Sequence, residues 1–155
     1  MPAKAALHTP AQIHEATGFT VPQQNQLYAR HTVLLSSADK KPTGSGTRRL
    51  IGSETTYRLA ILAKGIKTGV QARHAANASK LYAVGQKGRP PNTLYPVGRT
   101  LLILKEGSAE IVNAPFEATL TTICGRPFEA AIILDIGQII KAVDDKLIST
   151  EKKDH

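Results

Sequence analysis

Apolar and polar positions change period several times along the chain, and each change predicts an element. From Ser53-Glu54, a plausible helix start, Leu59, Leu62, Ile66 and Val70 recur at helical spacing, while Gly65 and Gly69 weaken or break the helix. A second helical stretch covers residues 71–84, with Ala78, Leu81 and Tyr82 on one face. Residues 88–96, GRPPNTLYP, exclude a regular element, because three prolines remove donors and fix φ. Two apolar runs, 100–105 and 109–112, flank the turn signal Glu106-Gly107-Ser108 and predict a hairpin.

Residues 30–37, RHTVLLSS, read as a strand, and 39–47, DKKPTGSGT, as a loop rich in Gly, Pro and Ser. Residues 117–124, EATLTTIC, alternate. Ala118, Leu120, Thr122 and Cys124 fall on one face, Glu117, Thr119, Thr121 and Ile123 on the other, as in a strand. Gly125-Arg126 ends it, and Pro127 suits the first turn of a helix. The stripe Ile132, Ile136, Ile139 or Ile140, Val143 and Leu147 carries that helix on for about five turns. Residues 130–136 are apolar nearly all round and are expected to be buried. Residues 1–26 show no clear period and read as a flexible arm with a short helical turn near Pro10–Thr17. The expected fold is α+β, with short strands, a few helices, a C-terminal strand-helix unit and a long, acidic C-terminal helix. Residues 27–155 form its single basic domain.

A chain of 155 residues, 41% hydrophobic and 21% charged, has the composition of one globular domain and not of a disordered or membrane chain. No apolar run reaches the roughly 18 residues of a membrane span. The opening MPAKAALHTPAQIHEATG lacks the apolar core of a signal peptide. A single cysteine, Cys124, excludes an internal disulfide framework and suits a reducing cytoplasm, the expected location.

Charge changes the picture most. The net charge is +8, but residues 1–105 hold fifteen Lys/Arg against Glu15, Asp39 and Glu54, a net +12, while residues 106–155 carry a net −4. Within 40–99 stand Lys40, Lys41, Arg48, Arg49, Arg58, Lys64, Lys67, Arg73, Lys80, Lys87, Arg89 and Arg99, with Glu54 as the one acid. So one-sided a field attracts a polyanion, and nucleic acid is the expected partner because neutralised phosphates release counterions. No strongly apolar face accompanies the basic one, which argues against a membrane surface.

Chemistry-bearing motifs are sparse. Gly44-Ser45-Gly46 invites a phosphate-loop reading, but no Lys and Ser/Thr follow in register. His8, His14, His31 and His74 show no metal spacing. Cys124 closes an apolar run and reads as a buried small hydrophobe. The basic region offers no paired carboxylates for catalysis or metal. The expectation is therefore a protein without catalysis and without a cofactor. Tyr28, Tyr57, Tyr82 and Tyr95 interleave with the basic residues as stacking candidates, although Tyr57 and Tyr82 also fit core positions.

Three segments, LYARHTVLL at 27–35, RLIGSETTYRLAIL at 49–62 and residues 115–149 with their strand and Gly125-Arg126-Pro127-Phe128 step, resemble the AcaB-type transcriptional activators of integrating conjugative elements and conjugative plasmids. The likeness covers about half the chain in short motifs. It implies a ribbon-helix-helix-like, dimeric DNA-binding regulator of a conjugative or mobile element. In that mode a strand from each subunit pairs into a ribbon in the major groove. Thr119 and Thr121 would then read base edges, and Arg126 would contact a phosphate or base. The chain departs from the pattern in two ways: little of it remains for a second helix after the first, and the strand carries Glu117 but no Lys or Arg. The strand either reads bases while residues 40–99 hold the backbone, or serves dimerisation alone. The alternative function is a structural nucleoprotein, a coat or single-strand-binding protein that wraps nucleic acid through residues 40–99. A nuclease is a third reading, disfavoured by the missing acid cluster.

Overall fold

A computed structural model describes residues 6–124 and 130–152. It is an α+β fold in which helices surround two small antiparallel sheets. The order is β1 (Leu7–His8), α1 (Pro10–Thr17), α2 (Val21–Ala29), β2 (Ile51–Gly52), α3 (Ser53–Lys67), α4 (Ala72–Lys80), a single 3-10 turn (Leu81–Ala83), β3 (Arg99–Lys105), β4 (Ser108–Ala114), α5 (Leu120–Cys124), β5 (Ile132–Asp135) and α6 (Ile136–Glu151).

The helix starts follow from side-chain chemistry. Thr9 and Thr20 each form a capping box, with Gln12 and Gln23 respectively, and a proline stands in the first turn of each helix. Gly18, at φ 83°, ends α1 and donates its N–H to the His14 carbonyl (2.8 Å). Asp135 caps α6, accepting from the Gln138 N–H at 3.1 Å. α3 follows β2 directly, with Gly52 at its N-cap and no side-chain cap.

β1 pairs with β2, and β3 is the centre of the second sheet, between β4 and β5. Residues 100–104 of β3 are all buried, as expected of a strand covered on both faces. Lys105 pairs with Ser108 across a two-residue Glu106-Gly107 loop, where Gly107 adopts φ 70°. One core joins Leu102, Leu104, Ile111 and Leu134 of the sheet to Ile61, Ala78, Tyr82, Ile136 and Ile140 of the helices. A second gathers Ile13, Tyr28, Val33, Ile51, Leu59, Leu62, Ala75 and Ala76. At Gly65 an added Cβ would lie 3.1 Å from the Ala75 Cβ, so the glycine sets how closely α3 and α4 approach.

The hairpin, the helix from Ser53 and the helical stretch after residue 71 stand as expected. Four expectations are corrected. Residues 30–37 form no strand. Arg30 closes α2, His31 takes φ 52°, and the Thr32 N–H returns to the Leu27 carbonyl (3.0 Å). The Ser36 N–H then donates to Asp39 Oδ2 (2.7 Å), so local polar bonds replace a ladder.

Residues 117–124 likewise hold no strand. Thr119 turns its hydroxyl to the Thr122 N–H (3.3 Å), the Ile123 N–H reaches the Thr119 carbonyl (2.9 Å), and α5 forms. The helix expected from Pro127 starts only at Ile136. Pro127 lies outside the described residues, and Ile132–Asp135 instead pairs with β3, Leu134 opposite Leu102. A short apolar run satisfies either period, and an edge of β3 was open to take it. Within α6 the stripe Ile136, Ile140, Val143 and Leu147 is buried as foreseen.

From residue 6 the expected arm is packed structure. Ile13 is fully buried, Ala16 joins Ala60, Val143 and Leu147, and α1 lies against α3 and α6. The apolar positions Ile13 and Ala16 were legible, but too few to display a period. Ile13→Ala is expected to cost about 2–5 kcal/mol in denaturant unfolding. A change within about 0.5 kcal/mol would restore the arm reading.

Candidate nucleic-acid interface

The twelve basic residues of 40–99 divide by burial. Arg58 (3% exposed) and Arg89 (1%) are interior, and their guanidiniums hold the chain together. Arg58 donates to the Leu34 carbonyl and to Asn92 Oδ1 (Nη2, 2.7 Å) and pairs with Glu54 at 3.6 Å. Burial lowers its pKa, opposed by Glu54 and Asp39. Arg89 binds four carbonyls, those of Leu81, Tyr82, Val84 and Thr93, at 2.6–3.2 Å, and its guanidinium carbon lies 5.9 Å from the Tyr82 ring centroid. Both are corrected from candidate nucleic-acid ligands to structural residues. A guanidinium taken out of water is held where its donors find acceptors, and both Nη groups of Arg89 do so while its Nε meets none.

The others face outward. Lys40 and Leu50 exchange both backbone hydrogen bonds (2.8 and 3.0 Å), closing a loop that displays Lys40, Lys41 and Arg48. Within it Thr47 Oγ1 accepts the Thr43 and Gly44 N–H groups (2.9 and 3.0 Å). Those donors are therefore engaged and cradle no phosphate. Arg49 is half-buried, its guanidinium 5.0 Å above the Tyr28 ring of α2. Lys64 and Lys67 stand exposed on the last turns of α3, and Lys87 on a turn closed by the Gln86–Arg89 bridge. Arg99, half-buried, reaches the Pro115 carbonyl (3.4 Å).

Arg73 and Lys80 lie on α4 and meet residues that the sequence reading left out. A groove of about 490 Å³ separates α2 from α4. Gln23, Gln26 and Arg30 of α2 line one wall, and Arg73, Asn77 and Lys80 of α4 line the other. No carboxylate lines it. Arg30 had been read as the start of a strand. The signal that could have found this wall is the box Thr20-x-x-Gln23 with Pro22, a helix start ahead of Gln24 and Tyr28.

The carboxylates of the basic half are engaged elsewhere. Asp39 accepts from the Ser36 N–H, the Gly52 N–H and the Thr55 hydroxyl at 2.6–2.7 Å, and Glu54 pairs with Arg58. On α6, Asp144 accepts the Tyr57 hydroxyl (2.8 Å) and Asp145 binds Lys141 (2.7 Å), which raises the Lys141 pKa. Lys40, Lys41, Arg48, Arg49, Lys64, Lys67, Arg73, Lys80 and Lys87 thus make no ion pair among the described residues.

Of the residues the resemblance implicated, Thr119 is exposed and bonded to Thr122, Thr121 sits within α5, and Arg126 lies outside the described residues. Neither Thr119 nor Thr121 lines the groove. Cys124 is buried. Among the described residues no three His, Cys, Asp or Glu side chains cluster to hold a metal, and no helix is long and apolar enough to cross a membrane. No protein-family model matches the chain, and no curated protein is similar to it.

Two outcomes separate the interior guanidiniums from the exposed ones. Arg89→Ala leaves four carbonyls without their donor and is expected to destabilise the fold by roughly 2–3 kcal/mol or more in denaturant melts. Lys87→Ala is expected to stay within about 0.5 kcal/mol. Burial also pushes the neighbouring Tyr82 hydroxyl up to about 12, opposed by Arg89. A phenol held protonated in the fold contributes stability that is complete below its unfolded pKa near 10 and is lost as pH rises through the folded value. In Tyr82→Phe the fall in unfolding free energy between about pH 10 and 12 is expected to be smaller.

Proposed function

We propose that the protein binds nucleic acid without catalysis, with duplex DNA as its ligand, and serves as a dimeric transcriptional regulator of a conjugative or mobile element. One observation carries the binding: nine exposed or half-exposed cations between residues 40 and 87 make no ion pair among the described residues, because Asp39 is bonded to Gly52 and Thr55 and Glu54 to Arg58. Such a surface gains free energy from counterion release on a phosphate backbone. The regulator role and the dimer rest on the AcaB-type resemblance. The DNA contact is assigned to the basic surface and not to a ribbon of residues 117–124, which would require α5 to unwind.

The test is a titration of the purified protein with labelled random duplex, single-stranded DNA and RNA at two salt concentrations. Duplex is expected to bind best. With six to ten phosphate contacts, affinity falls by roughly 10³–10⁵ between about 50 and 200 mM salt. Preference for single strands or RNA would replace the regulator with the structural nucleoprotein, and no binding to any of the three would overturn both.

A further inference from the structure

The first two helices carry an inference that goes deeper than a basic surface. α1 and α2 are joined by three residues, Gly18, Phe19 and Thr20, with Gly18 at φ 83°. A pair of short helices with a glycine-bearing turn of this length has the connection of a helix-turn-helix. The pair is rigidly braced. Gln24 of α2 is 1% exposed and donates its Nε2 to the Pro10 carbonyl of α1 (3.0 Å) and to the Phe19 carbonyl of the turn (2.8 Å). Tyr28, one turn further, is buried in the core beside Ile13.

With Gln24 and Tyr28 inward, the helical period turns Gln23, Gln26 and Arg30 outward, along the groove. Their chemistry differs from that of the rest of the basic surface. The Gln26 carboxamide presents a donor and an acceptor side by side, the pairing that fits adenine in the major groove, and Arg30 presents the fork that fits guanine. Gln23 keeps its Nε2 as a donor, since its Oε1 accepts the Thr20 N–H (2.8 Å). Across the groove stand Arg73 and Lys80, the charges that hold a phosphate backbone.

We propose that α1 and α2 form a helix-turn-helix whose second helix enters the major groove of duplex DNA, Gln26 and Arg30 reading base edges while Arg73 and Lys80 of α4 hold the flanking phosphates. Nine residues at about 1.5 Å each give α2 a length near 14 Å, enough to span roughly four base pairs. Phosphates are the same at every step and carry no sequence, so base reading falls to side chains whose donors and acceptors match base edges, the Gln26 amide and the Arg30 fork. Charge complementarity selects DNA as the occupant, since three cations and no carboxylate line the groove. The assignment rests on the DNA-binding reading above and adds to it the element and the residues that confer sequence choice.

The experiment is selection of bound duplexes from a random pool by the full chain, followed by anisotropy titrations of the enriched and a scrambled duplex. The variants are Gln26→Ala, Arg30→Ala and the double charge reversal Lys40→Glu/Lys41→Glu, each checked for an unchanged thermal melt. The native chain is expected to enrich one site. Gln26→Ala and Arg30→Ala are expected each to lower the enriched-to-scrambled affinity ratio by roughly 10- to 100-fold. Binding of the scrambled duplex by Gln26→Ala stays within about twofold, because that contact carries no phosphate term. Lys40→Glu/Lys41→Glu is expected to weaken both duplexes equally. If the native chain binds duplexes but enriches no site, or if Gln26→Ala and Arg30→Ala keep the native ratio, the recognition helix is overturned and the DNA-binding reading survives. If the native chain binds no duplex, the reading beneath it fails as well.

Discussion

Residues 58–62 of α3 are buried without interruption, together with Thr55, Thr56 and Gly65. A helix covered on so many sides must find neighbours all round, and α1, α4 and α6 supply them. It must also satisfy its own polar groups, because an unmet buried donor costs about 1–3 kcal/mol. Thr55 donates to Asp39, Thr56 returns its hydroxyl to the Gly52 carbonyl (3.0 Å), and Arg58 reaches Leu34 and Asn92. Two of these, the bonds of Thr55 and Arg58, fix the two long irregular segments of the chain, 30–50 and 84–98, against the helix. Irregular backbone is held here by the polar side chains of a buried helix, not by strands of its own.

The same demands sort the charges. Asp39 is drawn inward by Gly52 and Thr55 and Asp144 by Tyr57, and Glu54, itself exposed, is paired with Arg58, while the neighbouring lysines and arginines stay outside. The outer field is therefore more one-sided than the sequence charge alone implies. Among the described residues no ion pair joins α6 to the basic half; each joins neighbours on one helix or one hairpin. α6 packs on α1 and α3 through Ile139, Val143 and Leu147, and its Asp144 and Asp145 bond Tyr57 and Lys141 rather than the cations of 40–87.

Much of the framework was legible from residues. Long periodic stretches gave α3 and α4, and a Glu-Gly-Ser signal between apolar runs gave the hairpin of β3 and β4. What failed were short segments whose pattern fits two structures. EATLTTIC alternates, yet Thr119 caps a helical turn. Ile132–Asp135 fits a helical stripe, yet completes a sheet. Both outcomes depend on partners far away in the chain. Of the interface, the surface lysines were readable because charge runs are local. The interior roles of Arg58 and Arg89 were not, since composition cannot tell a guanidinium that faces water from one that faces four carbonyls. The wall of α2 was missed for a third reason: Gln and Asn give no hydropathy signal, and only the cap at Thr20 marks the helix.

α2 is a short helix with little apolar surface, three glutamines and an asparagine standing among its nine residues. Alone in water so short a segment would not persist. Its stability comes from the capping box of Thr20 and Gln23 and from one face, where Gln24 and Tyr28 are buried, and this leaves Gln26 exposed on the other. An exposed stripe of uncharged amides contributes little to folding and would be easily replaced by lysine or glutamate if solubility were its only role. Set between Arg30 and the cations of α4, neutral donors and acceptors are the groups able to distinguish one base pair from another. In the proposed complex nonspecific attraction falls to the loop lysines and to α3, whereas discrimination requires a rigid element with matched hydrogen bonds, and Gln24 braces the N-terminal end of α2.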